Sequence, residues 1–267
     1  RPFRIGDTLR TVLKIKRFVK NGSTTLLFFT FESYNGDELI AVTEATGGFF
    51  TKADLASNKG IITPKIQLRK NVEPKEFLHF SDSTRTTYEK EQLDAFYRGD
   101  YEGCFGVKPK LTQKELYYLP YDLKMIDRVT NIDYNGGIYG RGLICGEKQI
   151  TPDMWPFKVH FKNDPVFPAI ITSDGITQLG MFLFAHAGLL EKFDNANFTM
   201  MKGNCVKSRF RGQVRHGYST LRYEVNVKEV VETEEHICAY FDARIFNDDL
   251  QIMQIDSYAL KITSATN

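Results

Sequence analysis

One long segment of the chain, Ala169 to Leu190, is apolar on nearly every side when it is drawn as a helix. The prolines in Asp164-Pro165 and Phe167-Pro168 push the residues before them away from helical geometry, so the helix can begin only after the second proline. A helix that is apolar all round has to be covered by other structure. The segment therefore predicts a buried central helix, and the rest of the chain must supply its cover.

Strand-forming sequence occurs in two similar blocks, one near each end of the chain. In the first block, β-branched and aromatic residues are concentrated in Thr8 to Val19 and Thr24 to Tyr34, and the turn Asn35-Gly36-Asp37 leads into Glu38 to Thr43. Each block predicts three consecutive antiparallel strands. The segments of the second block are Thr220 to Val231, Ile237 to Phe246 and Leu250 to Ile262.

The two blocks align without a gap at the offset that separates Thr8 from Thr220, which is 212 residues. Any two hairpins share apolar positions, but few of the identities belong to that apolar pattern, so we favour an internal repeat. The prediction is an α+β fold with antiparallel strands and a buried central helix. The identical pairs are Thr8/Thr220, Leu9/Leu221, Arg10/Arg222, Lys16/Lys228, Val19/Val231, Phe29/Phe241, Asn35/Asn247, Asp37/Asp249 and Ile40/Ile252.

The segment between the two blocks contains one clear element. A helix is predicted over Thr87 to Arg98, because Leu93, Phe96 and Tyr97 have helical spacing and Gly99 is placed to end the helix. The sequence on either side of this helix is irregular.

Composition and charge exclude several classes of protein. The chain has 267 residues, 42% hydrophobic and 25% charged, as in an ordinary globular protein. A net charge of +2 gives no field that favours nucleic acid or an anionic membrane, and no apolar run approaches the roughly 20 residues of a membrane span. The four widely spaced cysteines favour neither a disulfide framework nor a metal site, and indicate a reducing, cytoplasmic location. The missing initiator Met and strand-like start are typical of a piece of something longer.

Three polar residues near the start of the central helix indicate acid–base chemistry. His160 lies in the preceding loop, Asp174 about one and a half turns inside the helix, and Gln178 four residues later on the same face. Taken alone, His160 could be a hydrogen-bonded structural residue of the loop, and Asp174 could be an aspartate favoured by the helix dipole. Together they provide a base, helix N-terminal donors and an acid, the groups that loss of water from a 3-hydroxyacyl thioester requires. His186, further along the helix, is predicted to be a satisfied structural residue rather than a ligand.

The same residues carry a resemblance to a known family. His160 to Asp174 reads HFKNDPVFPAIITSD. It resembles the pattern HFxxDPVMPGxLxxD/E, followed by Gln, of hot-dog dehydratases of the bacterial 3-hydroxydecanoyl-carrier-protein dehydratase type, and is closest to the dehydratase regions of polyunsaturated fatty acid synthases. The matching residues are His160, Phe161, Asp164, Pro165, Val166, Pro168, Asp174 and Gln178.

The resemblance implies a hot-dog fold, in which the sheet wraps around a long central helix. Because the first block matches only the strands that follow this helix, we expect a double hot dog with a partial or degenerate first repeat. The expected divisions are 1–60 for strands of the first hot dog, 61–114 for a connector with a short helix, and 115–267 for the catalytic hot dog.

The resemblance also implies a role for each motif residue. His160 would be the base, Asp174 the acid, and Gln178 a residue that orients the acid or the released water. The N–H groups of Ala169 and Ile170 would bind the thioester oxygen. In this family two hot dogs pack side by side, and the histidine of one works with the carboxylate of the other.

Two positions depart from the family pattern. Phe167 replaces a methionine, which would narrow or reshape the acyl tunnel. Ala169 replaces a glycine, so any geometry that needs a positive φ would be strained there.

The leading expectation for function is dehydration of 3-hydroxyacyl chains on acyl carrier protein to trans-2-enoyl thioesters, in fatty acid or polyunsaturated fatty acid synthesis, with double-bond isomerisation left open. No cofactor or metal is expected: Gly136-Gly137 and Gly140-x-Gly142 follow a turn and lack the strand-to-helix context of a dinucleotide site. The substrate would arrive on the phosphopantetheine of the carrier protein. The other expected partners are further domains of a larger synthase or a second hot dog. The basic residues that could meet an acidic carrier, or simply form a solvated face, are Lys158, Lys162, Lys202, Lys207, Arg209, Arg211 and Arg215.

Two alternatives stay open. A hot-dog thioesterase would use a carboxylate and a water and would not need His160. A noncatalytic hot-dog module would only bind acyl chains or organise a multidomain assembly.

Overall fold

The computed structural model describes residues 6–62, 83–107 and 123–264. The chain divides into two compact units, Arg1–Asn58 and Lys59–Asn267. Within the described ranges, no helix combines the length and the apolar character that a membrane span requires.

The first unit is a three-stranded antiparallel sheet followed by a short helix. Its faces differ, because side chains alternate along a strand. One face carries the ion pairs Lys14–Glu32 and Lys16–Glu44. The other carries apolar side chains such as Leu13, which is 52% exposed. The elements, in spatial order for the strands, are β1 (Leu9–Asn21), β2 (Thr24–Asn35), β3 (Glu38–Phe49) and helix α1 (Lys52–Ala56).

The second unit has a larger antiparallel sheet and four helices among its described residues. Its helices are α2 (Lys90–Tyr97), α3 (Tyr101–Phe105), α4 (Pro156–Val159) and α5 (Ala169–His186). Its strands are β4 (Arg128–Asp133), β5 (Leu143–Ile150), β6 (Ala196–Met200), β7 (Lys207–Phe210), β8 (Ser219–Glu232), β9 (His236–Asn247) and β10 (Leu250–Ser264). The order across the sheet is β4-β5-β8-β9-β10-β6, and β7 also pairs with β10.

Helix α5 is the buried centre of this unit, as the sequence predicts. It begins at Ala169, directly after Pro168, and its residues Leu179, Leu183 and Phe184 are completely buried. The helix ends at His186, short of Leu190, because the chain turns at Gly188 with φ 73° into a 3-10 turn. An antiparallel sheet wrapped around one long helix is the hot-dog fold, so the predicted fold class is confirmed.

Part of the predicted connector packs against α5. Tyr88, Phe96 and Phe105 surround Phe182 of α5, with ring centroids 5.0, 5.0 and 5.3 Å away. His186 is buried there, with one ring nitrogen bonded to the Tyr134 hydroxyl and the other to the Arg85 carbonyl, so it is a satisfied structural residue as predicted. The predicted helix is α2, and Gly99 follows it with φ 77°. Much of the connector lies outside the described residues, and the division at 60 and 114 stays a prediction.

The internal repeat is visible in the strand pairing of each unit. Leu9 pairs with Asn35 in the first unit, and Leu221 pairs with Asn247 in the second, at the same offset of 212 residues that separates Thr8 from Thr220. The irregularity between Ile15 and Arg17 recurs, at that offset, between Val227 and Glu229. The two meanders therefore share both register and bulge position.

The two meanders differ in how deeply equivalent side chains are buried, and one of them has an additional β-bulge. Leu9 is 45% exposed, whereas its counterpart Leu221 is fully buried in the core around α5. Strand β10 also has an additional register shift between Ile255 and Tyr258, where Ser257 has φ 61°. The corresponding part of β3 pairs with β2 without that second shift.

Candidate active site

A tight loop between α4 and α5 fixes the ring of His160. The N–H of Val166 donates to the His160 carbonyl at 2.9 Å, and the Nδ1 atom of His160 lies 3.0 Å from the Val166 carbonyl oxygen. A backbone carbonyl can only accept, so Nδ1 must carry the proton in this bond. In the neutral ring the lone pair is then on Nε2, which is the arrangement that a general base needs.

The His160 ring borders a small, mainly apolar cavity of about 140 Å³. Its walls come from the loop before α5, the first turn of α5, the segment after β7, and β10. Phe167, the residue in place of the family methionine, is 5% exposed and packs edge-on against Phe157 at 5.6 Å. The lining residues are His160, Val166, Phe167, Ala169, Thr172, Phe210, Gly212, Gln213, Val214, Ile252 and Met253.

The first turn of α5 contributes backbone donors at this cavity. The first helical hydrogen bond runs from the N–H of Thr172 to the Pro168 carbonyl at 3.0 Å, so the N–H groups before it have no partner within the helix. Of the two predicted oxyanion residues, Ala169 lines the cavity. Ile170 is 78% exposed and is not part of its lining.

The alanine at position 169 introduces no backbone strain. It is the first residue of a regular helix. The non-glycine residues with positive φ among those described are Asn163, Asn195, Asp248 and Ser257.

Asp174 and Gln178 form a second polar group on α5. The Gln178 Nε2 atom donates to the Asp174 Oδ2 atom at 2.8 Å and to the Leu123 carbonyl at 2.9 Å. The Oε1 atom of Gln178 accepts from the Tyr97 hydroxyl and from the Met125 N–H, both at 2.9 Å. Gln178 is 2% exposed, and its bonds to Tyr97 and Met125 are buried, whereas its bonds to Asp174 and Leu123 are partly buried. The side-chain pair expected from the four-residue spacing is therefore present.

Two tyrosines, the buried Tyr223 and the half-buried Tyr258, lie in the electrostatic field of Asp174. Burial of the Tyr223 side chain is the main reason that its pKa lies well above the usual value of 10, and the nearby Asp174 carboxylate raises this pKa further. Burial also raises the pKa of Tyr258, with a smaller contribution from Asp174. Both phenols therefore stay neutral at physiological pH. They act as hydrogen-bonding groups, Tyr223 to the Thr172 carbonyl and Tyr258 with the Thr177 hydroxyl.

The structure does not gather the predicted base and acid into one cavity. Thr172 faces the cavity beside His160, whereas Asp174, two residues later, is not among the residues that line it. Two residues correspond to a rotation of about 200° around a helix, so Thr172 and Asp174 point to opposite sides of α5. His160 and Asp174 therefore belong to two separate groups within this chain.

Several neighbours of these groups were not singled out from the sequence. In the sequence, Tyr97 is marked only by its helical spacing with Leu93 and Phe96. A buried tyrosine hydroxyl needs a hydrogen-bond partner, and that requirement is the available signal. Gly212 and Val214 line the His160 cavity from the segment after β7, and no motif marks them. At Gly212 a Cβ would lie 2.3 Å from the Ile252 side chain, so a glycine is needed for the close approach.

The seven basic residues considered for carrier binding are all exposed. Lys207 and Arg209 line a separate polar cleft of about 510 Å³ over strands β7 to β10. Arg209 lies 3.5 Å from Asp256, and Arg215 lies 3.4 Å from Asp164. The four cysteines are free thiols.

Comparisons with known proteins identify the family. The chain is 31% identical over 233 residues to one of the subunits of the polyunsaturated fatty acid synthase of Thraustochytrium sp.; the match covers 84% of this chain, which spans 16% of that relative. Among solved structures, the dehydratase heterocomplex ApeI:P of Xenorhabdus doucetiae is 14% identical with a TM-score of 0.38, over 56% of this chain and 88% of that one. A hypothetical thioesterase with coenzyme A from Streptococcus pneumoniae is 6% identical with a TM-score of 0.34, over 52% and 87%. The model of the FabA-like domain matches residues 119–256, more than half of the chain, and the chain belongs to this family.

Proposed function

We propose that this protein removes water from 3-hydroxyacyl thioesters carried on acyl carrier protein and releases trans-2-enoyl thioesters. The observation that carries the proposal is the state of His160. Its Nδ1–H is held by the Val166 carbonyl, and its ring borders an apolar cavity at the start of α5. Membership of the FabA-like family and the relation to part of a polyunsaturated fatty acid synthase support the same reaction.

In the proposed reaction, His160 Nε2 removes a proton from the carbon next to the thioester carbonyl. Negative charge then develops on the thioester oxygen, and the N–H groups of Ala169 and Ile170 would stabilise it. The C3–O bond breaks as the C2–C3 double bond forms, and Asp174 donates a proton to the departing hydroxyl, which leaves as water. Gln178 orients the acid, and Phe167 shapes the space for the acyl chain.

Delivery by a carrier protein belongs to the proposal as well. The phosphopantetheine arm would bring the thioester to the cavity, and the reaction requires no other cofactor, because no electrons are exchanged. The exposed basic residues provide a surface of the right charge for an acidic carrier.

The test is a His160→Ala variant assayed with a 3-hydroxyacyl thioester. Loss of the base should lower the rate of enoyl formation by about 10²- to 10⁴-fold. His216→Ala is the matched control, because His216 is a second histidine near this loop, where it is exposed and packs on Phe157 at 5.5 Å. Retention of dehydration by His160→Ala would refute the assignment. Release of free thiol without enoyl product would instead indicate a thioesterase, and binding without either product a noncatalytic module.

A further inference from the structure

The amide of Gln178 can have only one orientation. The Met125 N–H can only donate, so the Gln178 atom that it contacts must be the oxygen. The Leu123 carbonyl can only accept, so the atom beside it must be the nitrogen. The second N–H of Gln178 therefore points to Asp174 as a donor.

Tyr97 completes this arrangement from a different element. Its hydroxyl is the second donor to Gln178 Oε1, at 2.9 Å, and its side chain is 3% exposed. A hydrogen bond to an amide oxygen polarises the amide and strengthens the bonds that its N–H groups donate. The Tyr97 hydroxyl therefore acts on Asp174 through Gln178.

The position of Tyr97 is fixed by contacts of α2. Phe96, its neighbour, packs edge-on against Phe182 of α5 at 5.0 Å. Lys124 forms an ion pair with Asp94 of α2 at 2.9 Å and lies over the Tyr97 ring at 5.0 Å from its centroid. The same contacts hold the segment that contains Leu123 and Met125. Helix α2 thus positions three of the four groups that form hydrogen bonds with the Gln178 amide. These are the Tyr97 hydroxyl, the Leu123 carbonyl and the Met125 N–H.

We infer that Tyr97 is a positioning residue for the acid of this site, because it fixes and polarises the Gln178 amide that donates to Asp174. This inference rests on the proposed function, in which Asp174 donates a proton to the leaving hydroxyl. It assigns the connector a part in the reaction, in addition to its part in the core.

Tyr97→Phe removes only the hydroxyl and keeps the ring. We expect kcat for enoyl formation to fall roughly three- to tenfold with KM unchanged, since one hydrogen bond is lost away from the substrate. In a Gln178→Ala background, Tyr97→Phe should cause no further fall, because the two residues act through one path. Tyr101→Phe, which removes a phenol from the neighbouring helix α3, should leave kcat unchanged.

A second measurement tests the hydrogen bond between Tyr97 and Gln178 without relying on catalytic turnover. In protein labelled with ¹⁵N-glutamine, the side-chain NH₂ signals of Gln178 should be protected from hydrogen exchange. Tyr97→Phe should shift them and speed their exchange, whereas Tyr101→Phe should not. Unchanged Gln178 signals, or an equal fall of kcat in the presence and absence of Gln178, would overturn the inference. If the unsubstituted protein makes no enoyl product, the proposed function fails, and the NH₂ signals still decide whether Tyr97 holds Gln178.

Discussion

Helix α5 approaches strand β8 closely at Gly175. A Cβ at this position would lie 2.6 Å from the ring of Tyr223. That ring cannot move away easily, because it is 1% exposed and its hydroxyl donates to the Thr172 carbonyl at 3.1 Å. The absence of a side chain at one residue therefore sets the distance between the first turns of the helix and the sheet, and with it the place of Thr172 and Asp174.

Gly175→Ala should destabilise the protein by about 1–3 kcal/mol, the usual cost of overpacking a rigid core, despite the better helix propensity of alanine. Gly180→Ala is the control within the same helix. Its Cβ would lie 3.2 Å from the end of the flexible Leu260 side chain, so the small clash and the gain in propensity should nearly cancel. Urea unfolding monitored by circular dichroism measures the change in the free energy of unfolding for both variants. Equal effects of the two substitutions would show that the Tyr223 contact does not limit the packing.

Contacts between site residues were predictable from the sequence only where the two residues lie close together along the chain. Asp174 and Gln178 are four residues apart on a helix, so their contact followed from helical spacing. Tyr97 is 81 residues from Gln178, and no local pattern connects them. The separation of His160 from Asp174 agrees with the family resemblance, which implies that the histidine of one hot dog works with the carboxylate of another.

At the scale of elements, the strands of the two meanders were predictable to within two residues, except that β3 continues six residues beyond Thr43. Alternation and turn residues marked both meanders, and proline marked the start of α5. The bulges were not predictable, since a bulge depends on the pairing of two strands rather than on either one. The internal repeat also does not determine which side chains are buried. The same residue type can lie in the core in one copy and in solvent in the other, as Leu221 and Leu9 do.

Leu221→Ala and Leu9→Ala test this difference with one substitution at equivalent positions. Leu221 is completely buried in the hydrophobic core, so its truncation should cost about 2–5 kcal/mol of stability. Leu9 is 45% exposed, so the same change should cost less than about 0.5 kcal/mol. Chemical denaturation of each variant against the parent protein measures both values. A cost for Leu9→Ala as large as that for Leu221→Ala would mean that the face of the first unit is covered in solution.

At the scale of the whole molecule, the separation of the two polar groups determines how many copies a working site needs. His160 borders the cavity on one side of α5, and Asp174 joins Gln178 and Tyr97 on the other. Under the proposed function, a base and an acid must reach adjacent carbons of one substrate. A base and an acid on opposite sides of one helix do not meet this requirement, so we expect a second hot dog to supply the missing partner.

Co-expression of a His160→Ala chain with an Asp174→Asn chain tests that expectation. Each variant alone should be inactive, because every site lacks either its base or its acid. If two copies of the chain build the site together, random pairing should restore about a quarter of the parent activity, since half of the dimers are mixed and each has one intact site of two. Two differently tagged copies of the same variant, purified through both tags, provide the control and should show no recovery. Inactive mixed dimers would mean that His160 and Asp174 do not complement each other between chains, and that the partner hot dog is not a copy of this one.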